Sequence, residues 1–357
     1  MTLQAPFPWF GGKAPVADKV WRALGNVEHY VEPFFGSGAV LLARPHKAKV
    51  ETVNDADGML ANFWRAVAVE PETVAAHADW PTNEADLHAR HLWLVNRRDA
   101  VTRLMADPDA YDAKAAGWWV WGLCNWIGSG WCSGTGPWVG IDGDLVDSRQ
   151  LPHLSAGQGI NRQLPHLSAG RGINRKLPHL SAGRGINRQL PHLSAGQGIN
   201  RKLPHMGDAG RGSFIADWFA RLSERLRGVR VACGDWSRVC GPSVLRAGGG
   251  TCGVFLDPPY AADERAEVYA HESQAAAEVR EWCLAQGGNR DLRIVLAGYD
   301  GEHNALEANG WRAVRWKAKG GYGSQGEARG RENCARETLW LSPHCVMPDQ
   351  MVQEALL

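Results

Sequence analysis

The chain has 357 residues, 44% of them apolar and 22% charged, with a formal net charge of +1. That length accommodates one large α/β domain and a smaller one with ample core, and no run of about 18 apolar residues is present, which excludes a helical membrane span. Eight scattered cysteines form no C-x-x-C pair, so neither a zinc site nor a disulfide framework is indicated.

Met1 to Phe10 lack the basic and apolar regions of a signal peptide, so the expected location is cytoplasmic, in a prokaryotic or phage-infected host cell. Trp9-Phe10-Gly11-Gly12-Lys13 follows, a tight, positively charged turn without the spacing of a P-loop. Glu28 to Glu32 predicts a strand that enters the Gly-rich loop Glu32-Pro33-Phe34-Phe35-Gly36-Ser37-Gly38, and Ala39 to Leu42 predict a helix start. A second strand runs from Lys49 to Val53 and ends at Asn54-Asp55. Met59, Leu60, Phe63, Trp64 and Val67 then recur at helical spacing over 57–69, with Asp55 or Asp57 available as N-cap. Further helices are predicted over 87–105 and 113–127. The middle of the chain, from Trp118 on, is crowded with tryptophan: Trp118, Trp119, Trp121, Trp126, Trp131 and Trp138 fall within 21 residues. Some of these rings build a small core, and others, with Asn125, Ser129, Ser133 and Thr135, are candidates to face nucleic acid.

A tandem repeat of period 13 comes next. Copies of L-P-H-L-S-A-G-x-G-I-N-R-x start at Leu151, Leu164, Leu177 and Leu190, and a degraded copy starts at Leu203. Pro, two Gly and Asn in each unit stop a helix or a long strand from running through it. Residues 149–206 carry nine Lys/Arg and no Asp or Glu, which leaves −8 on the rest of the chain. Such a basic segment suits a phosphate backbone; a solvated loop or a small solenoid accounts for the same residues. One histidine per unit, without acidic or cysteine companions, is a poor metal array, and no metal is expected.

After the repeat, 214–226 predicts an amphipathic helix. Strands are expected at 229–232, 253–256 and 292–297, a helix at 274–285, and a closing hairpin from 311–316 and 338–341. Strands alternating with helices imply a mainly parallel, doubly wound sheet whose ligands lie at the carboxyl ends of the strands. Lys317 to Arg336, rich in Gly, Lys and Arg, would be the loop of that hairpin.

Two loops carry chemistry. Glycines after the first strand let a ligand approach the backbone, and an acid about twenty residues on, Asp55, suits the ribose of an adenosine-containing cofactor. Asp257-Pro258-Pro259-Tyr260 follows the apolar run Gly253-Val254-Phe255-Leu256. Two prolines donate no hydrogen bond and stiffen the loop. A carboxylate, a carbonyl and a ring presented together suit a flat base with an exocyclic amino group.

Taken in chain order, W-F-G-G-K at 9–13, E-P-F-F-G-S-G at 32–38, N-D at 54–55 and D-P-P-Y at 257–260 resemble the Dam-like (D12 class) N6-adenine-specific DNA methyltransferases. The resemblance covers about 1–70 and 213–342. It implies a Rossmann-like methyltransferase fold, S-adenosyl-L-methionine as methyl donor and double-stranded DNA as partner. It divides the chain into a catalytic domain (1–112 and 213–357) and a target-recognition insert (113–212) that contains the repeats (151–212). It implies that Trp9, Lys13, Glu32, Phe35, Gly36, Gly38, Asp55 and Asp257 line the cofactor site, with Lys13 near the cofactor carboxylate, Glu32 to Gly38 around its methionine part and Asp55 on the ribose. Asp235-Trp236 would border the cofactor adenine. Asp257, Pro258, Pro259 and Tyr260 would hold the adenine, flipped out of the duplex. In the insert the repeats depart from the family pattern; Arg162, Arg175, Arg188 and Arg201 are then expected on phosphates. A monomer is the default expectation. Alternatives remain: N4-cytosine or RNA amino-methylation on the same fold, a catalytically inactive DNA-binding module, or a protein-binding repeat array on a methyltransferase scaffold.

Overall fold

A computed structural model describes residues 3–9, 11–46, 49–104, 110–126, 131–132, 138–141, 144–147, 214–259, 270–316 and 337–346. The repeats, Tyr260 and Lys317 to Arg336 lie outside the described residues, as do Ser129, Ser133 and Thr135.

The chain opens with helix α1 (Ala17–Leu24), strand β1 (His29–Glu32) and the short helix α2 (Ala39–Leu42), then β2 (Val50–Asp55) and α3 (Gly58–Val69). Asp57 caps α3 by accepting from the amides of Met59 and Leu60, which satisfies two otherwise orphaned donors. Of the two candidate caps, this leaves Asp55 for other work. Helices α4 (Pro71–Ala78), α5 (Glu84–Arg103) and α6 (Ala113–Asn125) follow, then the hairpin β3 (Trp138–Ile141) and β4 (Asp144–Asp147). Pro71 starts α4 at a position where its missing N–H costs nothing. After the repeats come α7 (Phe214–Leu226), β5 (Val229–Cys233), α8 (Pro242–Leu245), β6 (Cys252–Leu256), α9 (Ala270–Gln286), β7 (Leu292–Tyr299), β8 (Arg312–Arg315) and β9 (Glu337–Leu341).

Seven strands form one sheet in the order β5-β2-β1-β6-β7-β9-β8. The β5-β2, β2-β1, β1-β6 and β6-β7 pairs are parallel, and β9 runs antiparallel to both β7 and β8. The sheet is therefore mainly parallel and doubly wound, as the alternation of strands and helices predicts. The order reverses between β1 and β6, and the crevice for a ligand in such a sheet opens there.

Both faces of the sheet are covered, so the central strands β1 and β6 are buried along their whole length. Phe255, Val295 and Tyr30 belong to one buried cluster with Trp21, Phe63 and Trp64. Their neighbours Val254, Leu256, Ile294 and Val31 belong to the other, with Trp236, Cys283 and Trp340. Adjacent residues on a strand point to opposite faces, and β6 and β7 obey this residue by residue.

Helix α6, which the expected boundary at 113 assigns to the insert, packs in the first cluster through Ala115, Ala116, Trp119 and Val120. Gly117 permits its approach to α4: a Cβ there would lie 2.4 Å from the His77 Cβ. The tryptophans serve this helical layer. Trp119, Trp121 and Trp126 are buried. Arg90 is also buried, its guanidinium 4.2 Å from the centre of the Trp121 ring and 5.0 Å from that of Trp118. Asn125 turns inward rather than outward, donating to the Trp121 carbonyl at 2.5 Å.

One buried ion cluster joins the segments on either side of the repeats. Glu51 on β2 receives both Nη atoms of Arg225 on α7, at 2.6 and 2.8 Å, and Nη1 of Arg44 at 3.1 Å. The bidentate geometry and the Arg225 bond to the Leu41 carbonyl distribute the Glu51 charge that burial would otherwise leave costly.

Candidate active site

Three strands deliver the site. β1 ends at Glu32, β2 at Asp55, and Asp257 follows β6 directly. Because the three are parallel neighbours, their carboxyl ends share one rim, and the sequence-predicted acids meet at the switch point.

The Gly-rich loop is held from several sides. The Gly36 amide donates to Asp55 Oδ2 at 2.9 Å, and the Gly36 carbonyl accepts from Trp64 Nε1 at 3.1 Å. The Phe35 amide donates to the Asn54 carbonyl at 2.9 Å. The Asn54 side chain donates to the carbonyls of Pro33 (3.1 Å) and Gly234 (2.9 Å), tying the loop to the end of β5. Gly36 and Gly38 have φ of +47° and +68°, a region that side chains other than glycine's seldom adopt. Space adds a second demand. A Cβ on Gly36 would lie 2.6 Å from the Trp9 ring, and one on Gly38 would lie 2.8 Å from the Phe35 ring. Trp9 and Phe35 therefore close on the glycines from within the protein.

Asp55 also accepts from the Asp57 amide at 3.0 Å. Although its side chain keeps a solvent-facing edge, burial raises the carboxyl to about 6, against the lowering effect of the Asp57 and Gly36 amides. Glu32 is buried and accepts from the Tyr30 hydroxyl at 2.9 Å. Burial pushes it well above the usual carboxylate range, and the charge of Asp257 adds to the shift. At one rim, burial thus opposes the charge of two carboxyls, and a cationic ligand there would be favoured.

Lys13 is 4% exposed, and its ammonium lies 3.0 Å from Asp257 Oδ1 and 3.7 Å from Glu337 Oε2. It donates to the Gly11 carbonyl at 2.7 Å. The N-terminal turn thus delivers its cation to the acid that follows β6. Sequence reasoning missed Glu337, because β9 reaches the rim only by running against its neighbours. Pro258 is buried and Pro259 exposed. Asp235 accepts from the Ser237 amide and caps a short 3-10 turn. The buried Trp236 stacks on Phe34 with ring centres 6.3 Å apart, so it packs against the Gly-rich loop. Arg162, Arg175, Arg188 and Arg201, like Tyr260, lie outside the described residues.

The mixed α/β layout, the mostly parallel sheet and a Gly-rich loop at the switch point define a Rossmann-like fold. Residues 9–94 match the family model of the D12 class N6 adenine-specific DNA methyltransferases, which places the chain's resemblance in that class. That span contains Trp9, Lys13, Glu32, Phe35, Gly36, Gly38 and Asp55 but not the loop at 257–260. A DNA N-6-adenine-methyltransferase of Escherichia phage P1 is 29% identical over 105 residues, which is 28% of this chain. The match spans 14% of the length of that curated relative.

Proposed function

We propose that the protein is a site-specific DNA methyltransferase that transfers a methyl group from S-adenosyl-L-methionine to the N6 amino group of an adenine. One observation carries this reading. The parallel strands β1, β2 and β6 bring the Gly-rich loop, Asp55 and Asp257 to a single rim. The match of 9–94 to the D12 class supports it.

The cofactor supplies a methyl group already activated on a sulfonium. The residues fit such a cation: Glu32 and Asp55 are acids whose burial opposes their charge until a positive ligand compensates it. Trp9, Phe35, Gly36 and Gly38 would form the wall against its methionine part, and Asp55 would meet the ribose. Lys13, 3.0 Å from Asp257 Oδ1, would hold that carboxylate in place.

The adenine N6 lone pair is conjugated into the ring and is a poor nucleophile. Asp257 and the Pro258 carbonyl would accept from the amino hydrogens, favouring a tetrahedral nitrogen and stabilising its developing positive charge. Tyr260 would stack on the ring, and the Pro258-Pro259 pair fixes the spacing. The base must leave the duplex to reach this loop. We assign target recognition to the insert at 113–212, with Arg162, Arg175, Arg188 and Arg201 as phosphate contacts.

The test is expression in a methylation-free bacterial host, followed by sequencing of its DNA with modification detection. N6-methyladenine at one short motif, absent for Asp257→Ala, is the expected result. Modified cytosine instead would move the assignment to N4 chemistry on the same fold, and a folded, cofactor-binding protein that modifies no base would overturn the reading.

A further inference from the structure

Glu337 belongs to none of the motifs that mark the site. It is the first residue of β9 and pairs in register with Tyr299, the last residue of β7. Among the described strands of this sheet, β9 alone has its amino end at the rim where β1, β2, β6 and β7 finish. Reversal of one strand thus inserts a residue beside the carboxyl ends of the others. Its side chain is 12% exposed, and Oε2 stands 3.7 Å from Lys13 Nζ.

One buried cation therefore serves two carboxylates, Asp257 at 3.0 Å and Glu337 at 3.7 Å. The sharing matters for the reaction proposed above. Methyl transfer to an amine forms an N–C bond and leaves the electron pair of the broken S–C bond on sulfur. It puts positive charge on the nitrogen until a proton departs to solvent. Lys13 beside Asp257 opposes that charge. Among these three described groups, Lys13 and Asp257 alone sum to zero charge, and Glu337 makes the sum negative. It also gives the ammonium a second anionic anchor, so Lys13 cannot swing across the face that Asp257 presents.

The geometry points to Glu337 as a positioning residue for methyl transfer, holding Lys13 in place and offsetting its charge so that Asp257 can stabilise the developing ammonium. This inference rests on the methyltransferase reading of the site.

The test compares Glu337→Gln, which removes the charge at constant shape, with Glu337→Asp, which keeps it. Single-turnover methylation of adenine-containing DNA, cofactor affinity and thermal melting are measured on each full-length variant. Lys13 reactivity toward an amine-acylating reagent, read by mass spectrometry, gives a measurement independent of turnover. Glu337→Gln is expected to slow transfer roughly ten- to a hundredfold, to leave cofactor affinity within about twofold, and to make Lys13 acylate faster. Glu337→Asp recovers much of the rate. Wild-type rate and wild-type Lys13 protection in Glu337→Gln would overturn the proposal, and so would an equal loss of rate in the Asp variant. If the wild-type protein methylates nothing, the methyltransferase reading fails, while the Lys13 acylation result still decides whether Glu337 holds the ammonium.

Discussion

Lys13, in the N-terminal turn, and Asp257, at the end of β6, form an ion pair at 3.0 Å. They are far apart in the chain, Lys13 before β1 and Asp257 after β6, and Lys13 is 4% exposed. A buried ammonium needs an anion, and a partly buried carboxylate needs a cation. Each group supplies what the other lacks, so the turn at 9–13 is a structural part of the loop at 257.

Removing the cation should leave a partly buried carboxylate unpaired. Lys13→Met is expected to destabilise the fold by about 2–3 kcal/mol, less than for a wholly buried pair because Asp257 retains some exposure. Urea unfolding measures it. Adding Asp257→Asn should restore part of the stability, since Glu337 also loses its cation, and none of the methylation. A double variant as unstable as the single one would show that the pair is not the cause.

Gly36 is constrained by its left-handed φ and by the Trp9 ring 2.6 Å from the position of a Cβ. Gly36→Ala should therefore lose about 1–3 kcal/mol and weaken cofactor binding. Combining it with Trp9→Ala relieves the steric part and leaves the conformational part. A double-mutant cycle on stability should show coupling; strict additivity would mean that the ring and the glycine do not press on each other.

Cofactor binding should depend on pH through Asp55, whose carboxyl burial raises to about 6. Between about 4 and 6 the folded protein holds a proton that the unfolded chain has released, so this group's contribution to stability falls as pH rises through that interval. A cationic ligand favours the ionised form. Affinity for S-adenosyl-L-methionine, followed by calorimetry from pH 5 to 8, should rise up to about pH 6 and level off above it. Asp55→Asn should flatten that rise and leave one of the Gly36 and Asp57 amides without its acceptor. A pH-independent wild-type affinity would remove Asp55 from the binding equilibrium.

His303 gives the opposite slope. It is fully buried, its ring nitrogens have no partner among the described residues, and burial lowers it to about 4. Its folded value lies below the ordinary one, so its contribution to stability is present above about pH 6.5 and is lost as pH falls toward 4. His303→Leu should reduce the acid sensitivity of the melting temperature over that window, and an unchanged profile would assign the sensitivity elsewhere.

Across the repeats, Arg225→Met should cost about 2 kcal/mol, since it takes two short charge-assisted bonds from the buried Glu51. Hydrogen exchange should then quicken in α7 and β2 together. Exchange confined to α7 would show that the cluster does not couple them.

Much of this molecule was legible in the residues. The helix over 214–226 and the strands at 229 and 253 stand within a residue of their expected bounds, because each is a short periodic segment bounded by glycine, proline or polar residues. The acids at 32, 55 and 257 announced a rim for the same reason: strands that alternate with helices run parallel and end together. The helices α1 and α4 were not foreseen, since each spans only eight residues and depends on packing, α1 on β6 and β7 and α4 on α6 and α7.

Local pattern by itself determined the strands of the main sheet, the helices α3, α5, α6, α7 and α9, the Gly-rich loop and the loop at 257, because periodicity and turn chemistry act over a few residues. Only the tertiary structure decided which acid does what. Asp57 took the helix cap and freed Asp55 for Gly36, Lys13 turned to Asp257, and antiparallel β9 carried Glu337 to the same cation. Such pairings are settled by sheet order and burial, which bring together charges that no stretch of sequence places side by side.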